Sequence, residues 1–340
     1  MKEKEILLPY LVFETCRECN LDCLHCYNYW KSDISTSLPG STYDQAKRTL
    51  RELLRQVKVG SISLSGGEPF MLKGFSELVL FLRMKGVCVN IITNGTVATD
   101  DDYRNLSQLK INVFEIPLHS SEPQIHDQIT NVKGSWFKTV HSIEFLLNTG
   151  CVVCGVFVPT KINISTAEVT INFLESLGIR HLMMNRFNIG GNGIKHIKEL
   201  IPDKKAFENA FAVADRIAQK GTLKISSNVC IPKCQLNTEQ FKNIHFTNCG
   251  KNIYQMPITL DFQGNVRICN HSPFISGNIF NEKLTDILHK KSITEWFEYL
   301  PEECFSCKYK HRCAGGCKAA GEQYFGQKKK SDPIIIPGFS

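Results

Sequence analysis

Cys19-Asn20-Leu21-Asp22-Cys23-Leu24-His25-Cys26 puts three thiols into one short loop and supplies no fourth. Four thiolates close the coordination of a four-iron, four-sulfur cluster, so three leave one iron free to bind another ligand. Cys16, three positions before Cys19, keeps a second reading open, because four thiolates also suit tetrahedral zinc. The loop comes straight after the apolar stretch 6–13, which reads as a β-strand.

A second element narrows the choice. Ser65-Gly66-Gly67-Glu68-Pro69 follows the strand-like run 61–64, and Gly66 stands 40 residues after Cys26 with a helix-like segment between. Adjacent glycines let the backbone approach a ligand closely at a strand end, since no Cβ intervenes. The Cys-x3-Cys-x2-Cys loop and the Gly-Gly-Glu-Pro element together resemble the signature of radical S-adenosylmethionine (radical SAM) enzymes. The resemblance implies that Cys19, Cys23 and Cys26 hold a 4Fe-4S cluster whose open iron chelates the amino and carboxylate groups of S-adenosylmethionine. It further implies electron donation to the sulfonium and a 5'-deoxyadenosyl radical that takes a hydrogen atom from substrate. Ser65, Gly66, Gly67, Glu68 and Pro69 would clamp the methionine ammonium.

The C-terminal cysteine array is as specific as the first. Cys304-x2-Cys307-x5-Cys313-x3-Cys317 is preceded by Cys249-x14-Gly264-x4-Cys269. The array resembles the SPASM extension of radical SAM enzymes, which holds auxiliary iron–sulfur clusters. Zinc knuckles usually separate their cysteine pairs by about 15 to 20 residues, whereas five residues lie between Cys307 and Cys313. The resemblance implies one auxiliary cluster on Cys304, Cys307 and Cys313 and another on Cys249, Cys269 and Cys317. The family commonly places a last cysteine after an Asp-Pro, but Asp332-Pro333 is followed here by Ile334, Ile335 and Ile336. One or two auxiliary 4Fe-4S clusters are therefore expected, with an open position, or the outer cluster missing.

Fifteen cysteines in all leave Cys16, Cys88, Cys151, Cys154, Cys230 and Cys234 outside these sets. Cys88 reads as a buried apolar side chain of a strand. Cys151 and Cys154 lie on one strand, where residues three apart face opposite sides, so they read as core rather than as a metal pair. Pro232 breaks any regular element between Cys230 and Cys234. Those two are candidate cluster ligands for the Cys249, Cys269 and Cys317 site, candidate catalytic donors of a hydrogen atom to a substrate radical, or members of a packed loop.

Between the two cysteine regions the period of hydrophobicity alternates. Segments 6–13, 61–65, 87–93, 113–118, 151–158 and 179–185 read as strands, and 43–58, 74–85, 135–148 and 164–177 as helices. Such alternation implies a parallel sheet with right-handed crossovers. Six such units are enough for the partial barrel that the radical SAM resemblance implies, so the fold class expected is α/β, a partial (β/α)6 TIM-like barrel in 1–221, followed in 222–340 by a small cysteine-rich iron–sulfur domain with a β-hairpin at 258–268. Ligands of such barrels gather at the C-terminal ends of the strands.

Weaker candidates close other strands. Thr93-Asn94-Gly95 and Pro117-Leu118-His119-Ser120 stand where related enzymes line the S-adenosylmethionine pocket, and each also reads as ordinary turn chemistry, with Ser120 or Ser121 capping the next helix. Arg186 is a candidate anchor for a ligand carboxylate, or a surface ion-pair partner. His126-Asp127 reads as a solvated or capping pair.

Composition bounds the rest. In 340 residues, 42% hydrophobic content excludes wholesale disorder. No secretory signal and no apolar run of spanning length is present, and the thiol content suits a cytoplasmic protein. Neither a nucleic-acid motif nor a basic stripe with interleaved aromatics appears. A net charge of +7 suits an acidic flavodoxin- or ferredoxin-type reductant or an acidic peptide.

The SPASM resemblance points to maturation of a ribosomally made peptide by cross-linking, oxidation or epimerisation. The first strand begins near residue 6, which leaves no room for an N-terminal peptide-recognition domain. The peptide would then be brought by a separate recognition protein or bound by the cluster domain. The alternatives are radical chemistry on a sugar, aminoglycoside or tetrapyrrole-type small molecule, and a non-catalytic zinc or iron–sulfur scaffold.

Overall fold

The computed structural model describes residues 7–32 and 40–335. Ile6 and Ile336 therefore lie outside the described residues. The first half of the chain alternates strand and helix: β1 (Leu7–Cys16), α1 (Tyr43–Gln56), β2 (Lys58–Gly66), α2 (Phe75–Met84), β3 (Cys88–Ile92), α3 (Asp100–Ser107), β4 (Val113–Pro117), α4 (Pro123–Thr130), α5 (Ser135–Asn148), β5 (Val153–Phe157), α6 (Ala167–Ser176) and β6 (His181–Met184). Each of the six strands pairs in parallel with the next. This is the expected partial barrel. Helix α3 was not anticipated, although Thr99 and Asp102 form a capping box at its start that the sequence carries openly.

Beyond β6 come α7 (Ile197–Leu200), α8 (Lys204–Ala218), β7 (Lys224–Ser227) and β8 (Ile244–Phe246), which extend the sheet past β6 in parallel. The expected hairpin is present as β9 (Thr259–Asp261) and β10 (Asn265–Arg267), with Gly264 at φ +87° in the turn, followed by β11 (Gly277–Asn278). It does not stand apart, because β9 pairs in parallel with β1 and the described strands form one sheet in the order β11-β10-β9-β1-β2-β3-β4-β5-β6-β7-β8. Gly221 lies in the turn between α8 and β7, so the sheet runs on across that point. Four short helices complete the chain: α9 (Leu284–Leu288), α10 (Lys291–Glu298), α11 (Lys310–Cys313) and α12 (Lys318–Phe325).

Strand residues alternate between two environments, as a period of two requires. Leu11, Phe13, Ile62, Leu64, Val89, Ile91, Phe114 and Ile116 are buried in the main core with the helix residues Leu50, Leu53, Leu78 and Leu82. Burial of each such side chain stabilises by about 1.5–3 kcal/mol. The opposite face is polar: Tyr10 donates to Ser63 Oγ at 3.0 Å, Asn90 Nδ2 donates to the same oxygen at 3.0 Å, and Glu115 lies on β4 in the alternate register. Cys88 belongs to this second face and is exposed, which corrects the expectation of a buried thiol. The run 87–92 looked apolar, but Val89 and Ile91 point to the helices while Cys88 and Asn90 point away from them. Cys154 is buried and Cys151, just before β5, is half-buried against the core.

Candidate active site

Loops that follow β1, β2, β3, β4 and β6 carry the residues singled out in the sequence. The 17–28 loop is held from three sides. Asp22 and Leu24 N–H groups donate to the Thr130 and Ile129 carbonyls at 3.2 and 2.9 Å, and Gly193 N–H donates to the Cys26 carbonyl at 3.3 Å. Asn192 Nδ2 donates to the Cys23 carbonyl at 3.1 Å, and Asn28 Nδ2 to the Gly66 carbonyl at 2.9 Å. A Cβ on Gly191 would collide with the Asn28 and Cys26 carbonyls, so the 191–193 turn fits against the loop. Asn192 and its flanking glycines escaped the sequence reading, since nothing local marks a loop as the seat of another loop.

Cys19, Cys23 and Cys26 are near enough to act on one another. Burial pushes the Cys23 thiol well up, and the adjacent Cys26 and Cys19 thiols push it further. Burial likewise raises Cys26 to about 11. Asn94 Nδ2 approaches Cys19 Sγ at 3.8 Å. Cys16 goes elsewhere: it ends β1, is buried, and its thiol donates to the Glu68 carbonyl at 3.1 Å. Among the described residues no three His, Cys, Asp or Glu side chains converge as ligands of one metal ion. Zinc requires its ligands within about 2.3 Å of a single centre, whereas a polynuclear cluster spreads its thiolates over separate irons. The donor set of three thiols, with Cys16 drawn away, fits such a cluster and would leave one of its irons without a protein ligand.

The Gly-Gly-Glu-Pro element packs directly onto this loop. Gly67 N–H donates to the Cys16 carbonyl and Glu68 N–H to the Glu18 carbonyl, both at 2.8 Å, and a Cβ on Gly67 would collide with the Glu18 carbonyl. Ser65 precedes Gly66, which sits at φ +135°, and Pro69 opens a short 3-10 turn. The Glu68 side chain is buried and turned inward. Its carboxylate accepts from Thr93 Oγ1 at 2.7 Å, from Asn94 N–H at 2.7 Å and from Phe70 N–H at 3.2 Å. Burial raises it to about 7 against the pull of these donors. Glu68 thus fixes the turn after β3 from the turn after β2.

His119, after β4, is buried with its ring edge-to-face on His25 at 4.4 Å and stacked on His126 at 5.5 Å. His25 Nδ1, His119 Nδ1 and His126 Nε2 have no partner. Burial lowers all three imidazoles, His25 and His126 to about 4. His126 is therefore not solvated as expected. Asp127 is a cap, accepting from Gly134 N–H, Ser135 Oγ and Trp136 N–H at the start of α5. Ser120 does not cap α4 from its own side chain; its Oγ accepts from Glu122 N–H at 3.0 Å, and Glu122 is the cap residue. No local pattern in the sequence marks His25 as a partner of His119, which lies 94 residues away.

Arg186 differs from both expectations. It is neither on the surface nor available to a ligand carboxylate: Nη2 pairs with Asp332 at 2.5 Å, Nε donates to the Cys230 carbonyl at 2.8 Å and Nη1 to the Phe187 carbonyl at 3.3 Å. Burial of a charge requires partners of this kind, and two of them, Cys230 and Asp332, come from parts of the chain the sequence does not relate to Arg186.

The remaining cysteines form two neighbourhoods. Cys230 and Cys317 are buried in one small apolar cluster with Cys249 packed against it. The Cys249 thiol, hydrogen-bonded to Cys230, pushes Cys230 well up. Cys269 is raised to about 12 by burial and then by Cys317. Around the second neighbourhood, burial first and then Cys313, Cys307 and Cys234 raise Cys304 to about 11. Cys230 and Cys234 therefore lie among other thiols. Gln323 on α12 links the regions, its Nε2 donating to the Tyr27 and His271 carbonyls at 2.9 and 2.6 Å and its Oε1 accepting from Gly191 N–H at 2.7 Å.

Residues 13–174 match the radical SAM superfamily. The chain is 24% identical over 328 residues to the mycofactocin maturase MftC of Mycolicibacterium smegmatis, covering 91% of this chain and 78% of the relative. It is 21% identical over 332 residues to the PqqA peptide cyclase of Gluconobacter oxydans, covering 95% and 89%. It is also 22% identical over 363 residues to the AdoMet-dependent heme synthase of Oleidesulfovibrio alaskensis, covering 95% and 86%. The structure of native anSMEcpe with bound AdoMet and Cp18Cys peptide superposes with a TM-score of 0.72 at 16% identity, over 96% of this chain and 93% of that one. The likeness to that structure is one of fold. Among the described residues no helix is long and apolar enough to cross a membrane.

Proposed function

Through residues 13–174 this chain belongs to the radical SAM superfamily, and from that premise we propose that it matures a ribosomally made peptide by removing a hydrogen atom from an unactivated carbon. Cross-linking, oxidation or epimerisation of the peptide would follow. Cys19, Cys23 and Cys26 hold the first cluster, and the withdrawal of Cys16 onto the Glu68 carbonyl carries this reading, because it keeps the set at three. When bound, the cluster and S-adenosylmethionine supply the electron and the abstracting radical. Gly66 and Gly67 let the backbone lie against the cysteine loop, and Glu68 positions the Thr93-Asn94 turn beside it. His25 and His119 wall the site with neutral rings.

Cys249, Cys269 and Cys317 hold one auxiliary cluster and Cys304, Cys307 and Cys313 the other. Arg186 and Asp332 position the inner set, since Asp332 also accepts from Cys317 N–H at 2.8 Å. The similarity to a peptide maturase and a peptide cyclase supports a peptide substrate, and the charge of +7 supports delivery of electrons by an acidic flavodoxin- or ferredoxin-type protein. A separate peptide-recognition protein and a cytoplasmic setting belong to the same proposal. The similarity to a heme synthase supports a second reading, radical chemistry on a tetrapyrrole-type small molecule.

Anaerobically reconstituted protein given S-adenosylmethionine and dithionite should release 5'-deoxyadenosine, and a Cys19/Cys23/Cys26 triple alanine variant should not. Candidate precursor peptides encoded near the gene should then change mass in the same assay. Turnover of a small tetrapyrrole with no peptide present would favour the second reading. Zinc without sulfide would defeat both.

A further inference from the structure

We propose that Cys230 and Cys234 are divided between the two auxiliary sites, Cys230 as fourth ligand with Cys249, Cys269 and Cys317, and Cys234 as fourth ligand with Cys304, Cys307 and Cys313. The inference rests on the reading that the C-terminal array holds two clusters. It gives one of the two candidates to the inner site and the other to the outer one, and so supplies the ligand that the sequence lacks after Asp332-Pro333.

The turn 230–234 is wedged between the two cysteine sets. A Cβ on Gly316 would come within 2.8 Å of Pro232 Cγ, and one on Gly315 within 3.9 Å of Cys304 Sγ, so the loop from Cys313 to Cys317 lies flat against both neighbours. Both of these glycines have φ near +80°, a conformation that favours glycine. On the inner side, one guanidinium joins the pieces: Arg186 donates to the Cys230 carbonyl and pairs with Asp332, which accepts from Cys317 N–H. Cys230 and Cys317 share one buried apolar cluster with Cys249 against it.

On the outer side, Glu239 Oε1 sits 3.0 Å from Arg312 Nη1 and 3.4 Å from Lys233 Nζ. That pairing holds α11, which ends in Cys313, beside the residue preceding Cys234. Cys234 follows directly on the Lys233 held in this way, and Pro232 packs on Gly316, which lies between Cys313 and Cys317. The chain end where the family's terminal cysteine would stand reaches the same place, for Gln235 Nε2 donates to the Ile334 carbonyl at 2.6 Å. The ligand missing from one strand of chain is offered by its immediate neighbour. Pro232 stands between the two thiols, and its carbonyl accepts from Gln235 and Leu236 N–H at 2.9 and 3.2 Å, so Cys234 lies in a turn that begins after Cys230.

The test uses the full chain purified anaerobically in the Cys19/Cys23/Cys26 triple alanine background, so that only auxiliary iron reports. Iron and sulfide per chain and the low-temperature EPR spectrum are measured. Adding Cys234→Ala should lower iron and alter the spectrum, should add nothing to Cys304→Ala/Cys307→Ala, and should add its full effect to Cys249→Ala/Cys269→Ala. Cys230→Ala should show the opposite dependence. Cys234→Ser and Cys230→Ser, with circular dichroism of each variant, separate ligand loss from misfolding. Unchanged iron and spectrum in Cys234→Ala, or further loss in the Cys304→Ala/Cys307→Ala background, would overturn the division. Absence of iron in the parent background would instead sink the auxiliary-cluster reading itself, before any substitution at Cys234 is made.

Discussion

Arg186 and Asp332 meet 2.5 Å apart, both side chains fully buried and 146 residues distant in sequence. The pair fastens the end of β6 to the last described turn of the chain and places two cysteine backbones on either side. Removing one member of a buried ion pair costs about 3–5 kcal/mol, while exchanging both for apolar groups is often neutral. Asp332→Ala should therefore lower the urea unfolding midpoint sharply, and Arg186→Met/Asp332→Leu should recover most of the loss. A single variant as stable as the parent would show the pair to be dispensable.

Gly67 has no space for a side chain, because a Cβ would strike the Glu18 carbonyl. Backbone cannot yield as a flexible side chain can, so Gly67→Ala should displace the 17–28 loop. The expected result is loss of one cluster's iron with the auxiliary iron retained. Full iron content in Gly67→Ala would mean that the loop adapts.

Glu68→Gln tests whether the Thr93-Asn94 turn is positioned by a carboxylate. An amide can accept at only one end, so one of the donors from Thr93, Asn94 and Phe70 loses its acceptor. Leaving a buried donor unsatisfied costs about 1–3 kcal/mol. S-Adenosylmethionine should bind roughly tenfold more weakly to the reconstituted variant, about 1.4 kcal/mol, with cluster iron unchanged. Calorimetric titration giving the parent affinity would remove Glu68 from the site.

Glu115 sets a pH dependence. Burial raises its carboxyl to about 7, whereas an unfolded glutamate titrates near 4.3. The folded state then binds the extra proton, so this group's stabilisation is complete below the unfolded pKa and disappears as pH rises through about 7. Between pH 5 and 8 the parent's unfolding midpoint should fall more steeply than that of Glu115→Gln. Parallel slopes would show that Glu115 ionises normally.

Much of the architecture was legible because its signals are local. The alternation of strand and helix, the Cys19 to Cys26 loop at the end of β1 and the Gly66-Gly67 turn at the end of β2 all follow from short-range period and spacing. Cys88 was misread because the apolar run 87–92 does not reveal which face of a β-strand meets helices. His126 and Arg186 were misread for a related reason: whether a polar side chain is buried depends on the rings and carboxylates that remote segments bring to it.

The sequence by itself determined the alternation of a parallel α/β sheet, the three-thiol loop and the existence of a second cysteine array, since each is written in the identity and spacing of neighbours in the chain. Only the tertiary structure decided that the C-terminal hairpin joins β1, that Cys16 turns away from its loop, and that Cys230 and Cys234 part toward different sets of thiols. Those outcomes rest on contacts between segments tens to hundreds of residues apart. Packing and the need to pair buried charges select such contacts, and no local pattern records them.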